Sequence, residues 1–172
     1  SQYERTLFII ASLKSLKLRI SELSERSNWS PVMSHFHRDY EGNWWFRAFG
    51  KGSKQRDISI SNEFLEFLKR YRQHRGLTPL PSKDSVESVI ESRVKNRGIG
   101  SRQLRNIVEH AFNIGCQSLL KDGFDVDASE LRAATTHWLR HTGASMEVAS
   151  GRRLSHVQAD LGHDSIRTTD EL

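Results

Sequence analysis

A single stretch of strict alternation, NWWFRAFGKGSKQRDISIS at residues 43–61, interrupts a chain whose other apolar residues recur at spacings of three and four. Trp45, Arg47 and Phe49 alternate with Trp44, Phe46 and Ala48, and Ile58 and Ile60 alternate with polar neighbours beyond GKGSK. Successive side chains of a strand point to opposite faces, so this pattern, with glycines between its halves, predicts a β-hairpin with a basic turn. Set among helical segments, the hairpin makes the chain α+β, mainly α-helical with a small antiparallel sheet.

The helical segments follow from periodicity and punctuation. Leu7, Ile10, Leu13, Leu16, Ile20 and Leu23 predict an amphipathic helix over residues 4–24 with a break near Lys14, and Pro31 closes any helix before the hairpin. Residues 62–75 predict a second helix, with Asn62 as its cap and Phe64, Leu65, Leu68 and Tyr71 on one face. GLTPLPSKD at 76–84 is a loop, followed by VESVIESRV. Beyond it, Ser101 can cap a helix that Gly123 ends. Further helices are expected over 129–148, at LSHVQADLG and from SIRTTDEL onward, and no internal repeat is present.

The 172 residues are the size of one domain. With 26 Lys and Arg against 21 Asp and Glu, the net charge is +5 and the pI near 9.6, which suits a polyanionic partner such as nucleic acid. The one cysteine, Cys116, excludes an internal disulfide and a Cys-rich zinc site, fits a reducing compartment, and reads as a small buried residue. No apolar run approaches a membrane span, and LFIIASL at 7–13 lacks the flanks of a signal peptide, so the expected location is cytoplasmic. Because helical periodicity begins with the first residues, the chain reads as part of a longer protein.

The motif THWLRHTGAS at 135–144 carries the densest chemistry. On a helix His137, Arg140 and His141 share a face, which allows either a His/His metal site or a His/Arg phosphate site. A zinc-protease helix needs HExxH, but Trp138 stands at the glutamate position and Arg140 would repel a dication; His35 and His37 are the other close pair. No metal or other cofactor is expected. Arginine offers a planar fork of donors to phosphate oxygens, and a histidine one turn away can move a proton at the same phosphorus.

Taken with LRISEL at 18–23, FGKGSKQRDISIS at 49–61 and LGHDSIRTT at 161–169, the motif resembles, in order and spacing, the catalytic domain of the tyrosine recombinases, the phage integrase family. The resemblance spans residues 1–172 and implies a DNA breaking-rejoining catalytic fold acting on double-stranded DNA, as a homotetramer on that DNA, in a bacterial or phage-derived setting. It implies a separate amino-terminal DNA-clamping domain outside this chain. Arg19 matches the first arginine clamping the scissile phosphate, and Glu22 the acidic position supporting the site. Lys51, on the hairpin turn, matches the general acid toward the leaving 5′-oxygen, with Lys54 and Arg56 as DNA contacts. His137 matches the histidine assisting proton transfer at the nucleophile, and Arg140 completes the clamp. His141 is expected to be a buried histidine serving the fold, and His163 to hydrogen-bond a nonbridging oxygen. Substituting either arginine is expected to leave folding nearly intact.

Two positions depart from the family pattern. The nucleophilic tyrosine is expected nine residues after His163, where Leu172 stands. The nucleophile is replaced, or a shifted register places it beyond Leu172, or cleavage has been lost; as given, the chain is expected to be inactive. Lys17 stands where the family usually has glycine. Tyr3, Tyr40 and Tyr71 read as packing residues rather than substitutes. The implied activity is site-specific strand cutting and rejoining through a 3′-phosphotyrosyl ester, without metal or ATP. The rivals are a non-cleaving DNA-binding regulator of the same fold and a type IB topoisomerase.

Overall fold

The computed structural model describes residues 1–50, 54–94, 97–134 and 136–161, without the side chains of residues 136 and 137. Helix α1 (Gln2–Ser15) lies centrally, against helices α3 (Asn62–His74), α4 (Ser101–Lys121) and α6 (Thr136–Ala149). Because neighbours crowd it on several sides, its buried face is broader than the Leu7–Ile10–Leu13 stripe: Phe8, Ile9 and Leu13 are buried, while Leu7 and Ile10 are half-buried.

The expected helix over 4–24 is two helices. α1 stops at Ser15, Lys17 takes a left-handed conformation with φ 52°, and the short α2 (Ile20–Leu23) begins after an extended Arg19. The break falls just beyond Lys14. It aims Arg19 and Glu22 at the end of the hairpin rather than along the α1 axis.

The hairpin forms as expected from β2 (Trp44–Phe49) and β3 (Gln55–Ser59), with the turn residues 51–53 outside the described residues. A strand not anticipated from sequence, β1 (Phe36–Arg38), adds antiparallel to β2 after a 3₁₀ turn at Met33–His35. The order is β1-β2-β3, and the register aligns Phe36, Phe46 and Ile58 in one buried row. That row meets Phe64 of α3, whose ring lies 5.7 Å from Phe8, while Phe8 stacks on Tyr71 at 4.4 Å. Each such pair adds about 0.5–1.5 kcal/mol beyond area burial.

Several boundaries differ from expectation. Ser61, not Asn62, caps α3: its hydroxyl accepts the Phe64 N–H at 3.1 Å, because Asn62 is already in the first turn. Ser101 is likewise the first residue of α4, and its hydroxyl bonds that of Ser24 at 2.6 Å, tying α4 to the end of α2. Gly123 does end α4, with φ 83°. The helix expected over 129–148 is two, α5 (Asp125–Ala133) and α6, separated by Ala134 in an extended conformation. α7 (Leu154–Leu161) is the expected short helix, and SIRTTDEL lies outside the described residues. Cys116 is buried, its thiol directed at the Ala128 carbonyl at 3.3 Å.

Candidate active site

The site is built around one buried carboxylate. Glu22 sits in the single turn of α2, where it accepts the Arg19 backbone N–H at 2.9 Å while its own N–H bonds the Arg19 carbonyl at 3.0 Å. Its side chain has 0% exposure, so its charge needs partners. Arg56 of β3 grips both carboxylate oxygens, through Nη1 and through Nη2 at 3.0 Å. Arg140 approaches Oε1 at 3.7 Å and Arg19 approaches the same oxygen at 3.9 Å. Three guanidinium groups thus converge on one carboxylate, which leaves the cluster net positive.

Each arginine arrives from a different element. Arg19 holds the extended position before α2 and is 36% exposed, so it presents the accessible charge. Arg56 pairs with Ala48 across the hairpin, on the same face as buried Ile58, which directs its guanidinium inward. Its Nε also donates to the Asp160 carbonyl at 2.7 Å. Arg140, on α6, is only 2% exposed, with Nη1 donating to the Lys17 carbonyl at 2.5 Å and Nη2 to the Leu161 carbonyl. Burial, then the positive charge of Arg19, presses its pKa down to about 9; Glu22 opposes that shift and Arg56 adds to it. Arg140 therefore stays protonated at neutral pH. Its burial stands against the expectation that its loss would spare folding, since removal would take the donor from the Lys17 and Leu161 carbonyls and leave a buried gap.

A second charged cluster, not anticipated from sequence, lies behind the first. Lys17 has 1% side-chain exposure; its Nζ meets Glu147 of α6 at 2.8 Å and Asp160 of α7 at 3.5 Å. Arg152 closes the group through Nη1 to Glu147 and to Asp160 at 2.5 Å, and through Nη2 to the Ser59 hydroxyl at 3.2 Å. Two cations face two anions, so this cluster is neutral where the first is positive.

Of the residues expected at the site, Arg19, Glu22 and Arg140 come together, and Arg56, expected as a DNA contact, is mostly buried and joins them by gripping Glu22. Lys51, His163, Leu172 and the side chain of His137 lie outside the described residues; the backbone of 137 is one turn before Arg140 on α6. Lys54 immediately precedes β3 and is exposed. His141 is half-buried rather than buried. Tyr71 packs in the core, but Tyr3 and Tyr40 are exposed and do not, since each projects from an outer surface. Among the described residues no three His, Cys, Asp or Glu side chains group as metal ligands, and no helix is long and apolar enough to cross a membrane.

The anchoring of the hairpin to α2 completes the geometry. Trp29 donates from its indole to the Glu22 carbonyl at 2.9 Å and stacks on Phe49 at 5.3 Å, and Arg26 Nη2 donates to the Phe49 carbonyl at 3.1 Å. The last residue of β2 is thus pinned beside the arginine cluster.

Comparison with known proteins identifies the family. The phage integrase family profile matches residues 2–171. The chain therefore belongs to that family and is a tyrosine recombinase catalytic domain. It is 29% identical over 152 residues to tyrosine recombinase XerC of Chlamydia muridarum (strain MoPn / Nigg), covering 88% of this chain and 41% of the relative. It is 34% identical over 123 residues to XerC of Thermodesulfovibrio yellowstonii (strain ATCC 51303 / DSM 11347 / YP87), covering 70% of this chain and 36% of the relative. The chain thus spans about two fifths of the length of these relatives. Its fold is similar to that of the XerH site-specific recombinase in a post-cleavage complex with a palindromic difH substrate: TM-score 0.67 and 23% identity, over 98% of this chain and 41% of that one.

Proposed function

We propose that the protein is the strand-cutting part of a site-specific DNA recombinase, working through a 3′-phosphotyrosyl intermediate without metal or ATP. The observation that carries this reading is the positive excess at Glu22, where three guanidinium groups meet one carboxylate. Such a cluster, with one member open to solvent, is shaped to receive an anion. Attack on a phosphodiester builds charge on the nonbridging oxygens, and pre-placed guanidinium donors stabilise it at no cost in reorganisation. Arg19 supplies the accessible donor and Arg140 the fixed one, while Glu22 and Arg56 hold them in place.

In the step itself the tyrosine oxygen bonds phosphorus, the bond to the 5′-oxygen breaks, and that oxygen takes a proton from Lys51. His137 assists removal of the tyrosine proton and His163 binds a nonbridging oxygen. The 3′-phosphotyrosyl ester conserves the bond energy, so rejoining needs no ATP. Double-stranded DNA is the partner, with a tetramer on the paired sites and the remaining length of the protein completing the clamp.

The test is a nicked suicide duplex incubated with the 172-residue chain and with the complete native polypeptide, then run on a denaturing gel. The complete polypeptide should give a protease-sensitive DNA-linked band, unaffected by EDTA. The 172-residue chain, with leucine at the nucleophile position, should give none. A band from it would mean that another tyrosine attacks, and no band from the complete polypeptide would favour the non-cleaving regulator.

A further inference from the structure

We propose that Lys17 is a positioning residue for Arg140, a role that rests on the reading of Arg140 as part of the phosphate clamp. Arg140 is fixed by two backbone carbonyls, Lys17 and Leu161, from segments far apart in sequence. Lys17 secures both halves of that cradle. Its left-handed backbone, φ 52°, turns the chain out of α1 and presents the first carbonyl. Its ammonium pairs with Asp160, the residue before Leu161, and with Glu147, two helical turns beyond Arg140 on α6.

The choice of residue supports this role. A left-handed conformation disfavours side chains with a Cβ and suits glycine. Burying a lysine also disfavours the folded state unless the ammonium is fully paired. Lys17 meets both penalties, and its ammonium makes the 2.8 Å contact to Glu147 together with a 3.1 Å bond to the Ser15 carbonyl. Glycine would satisfy the backbone but could not tie α6 and α7 to the α1–α2 turn. Arg152 bridges the same two carboxylates but brings one charge against their two, so Lys17 completes the charge balance of the cluster as well as tying its helices together.

Three forms test the assignment: wild type, Lys17→Met, and Lys17→Met/Glu147→Gln, which restores charge balance in the cluster. The first readout is nuclear magnetic resonance of the Arg140 guanidinium in the 172-residue chain, its signals identified by their loss in Arg140→Lys. In wild type they should be resolved and slow to exchange. In the double variant they should broaden and exchange faster even where its melting temperature returns to that of wild type. The second readout is single-turnover cleavage of the suicide duplex by the complete polypeptide, expected to fall about a hundredfold in the double variant with duplex affinity nearly unchanged. Unaltered Arg140 signals in the stably folded double variant, or a cleavage rate recovering in step with its melting temperature, would overturn the proposal. Altered Arg140 signals together with wild-type cleavage in Arg140→Ala would keep the positioning but refute the functional reading on which it rests.

Discussion

At the scale of single residues, the cluster divides its members by exposure. Arg19 is reachable from solvent and shares Glu22 with two other cations, so Arg19→Ala should cost little stability. It should still slow strand cleavage by about 10²–10³, the loss typical of one pre-placed oxyanion donor. Arg140 differs, because its guanidinium spans α6, the α1–α2 turn and the end of α7. Arg140→Ala should abolish cleavage and also destabilise the domain, by about 1–3 kcal/mol for each of the buried Lys17 and Leu161 carbonyls that loses its donor. Urea denaturation of the two variants beside wild type separates these outcomes; equal stabilities would contradict the burial assigned to Arg140. Arg19, Glu22 and Arg140 were legible in the sequence through their motifs. Lys17 was not, since neither a buried lysine nor a left-handed one is what its residue type favours. Arg56 was legible in part: it shares the parity of Ile58 in an alternating strand, which points it inward, toward Glu22.

At the scale of elements, the contact between α1 and α6 decides whether the cradle forms. A Cβ added at Gly143 would overlap the Lys14 carbonyl, a backbone atom that cannot swing aside. Gly143→Ala should therefore push α6 off α1, lowering stability by about 1–3 kcal/mol and loosening Arg140. A melting temperature equal to that of wild type would show that the helices do not approach so closely. The 3₁₀ turn before the sheet carries a pH-sensitive element. His35 stacks on Trp29 at 4.8 Å, and its Nδ1 accepts the Val32 N–H at 3.1 Å, an arrangement that needs the neutral ring. Burial first, then Arg47 and His37, holds its pKa below the ordinary 6.5. The unfolded chain therefore takes up this proton before the folded one does, and stability present above 6.5 is lost as pH falls through the folded value. Melting between about pH 7 and pH 5 should show a decline that is shallower in His35→Gln; identical declines would remove His35 as its source. Strands β2 and β3 and helix α3 were readable because alternation and helical spacing are unmistakable there. The split between α5 and α6 was not, because Ala133 and Ala134 offer no glycine or proline to mark the break. β1 escaped notice because three residues are too few to show a period.

At the scale of the whole molecule, the net charge suits the DNA ligand of the proposed function. A net charge of +5 on a chain whose candidate site is itself net positive predicts binding to duplex DNA dominated by phosphate neutralisation. Log affinity should then fall linearly with log salt for this chain, measured with a labelled duplex; affinity indifferent to salt would count against it. The central claim is narrower than binding: fixed arginines around Glu22 activate a phosphodiester. It is tested most directly by the single-turnover cleavage rate of the suicide duplex by the complete polypeptide in EDTA, wild type beside Arg19→Ala. The account predicts undiminished cleavage by wild type and a loss of about 10²–10³ in the variant, with duplex affinity changed far less. Equal rates for the two proteins, or wild-type cleavage that stops in EDTA and returns with added metal, would contradict it.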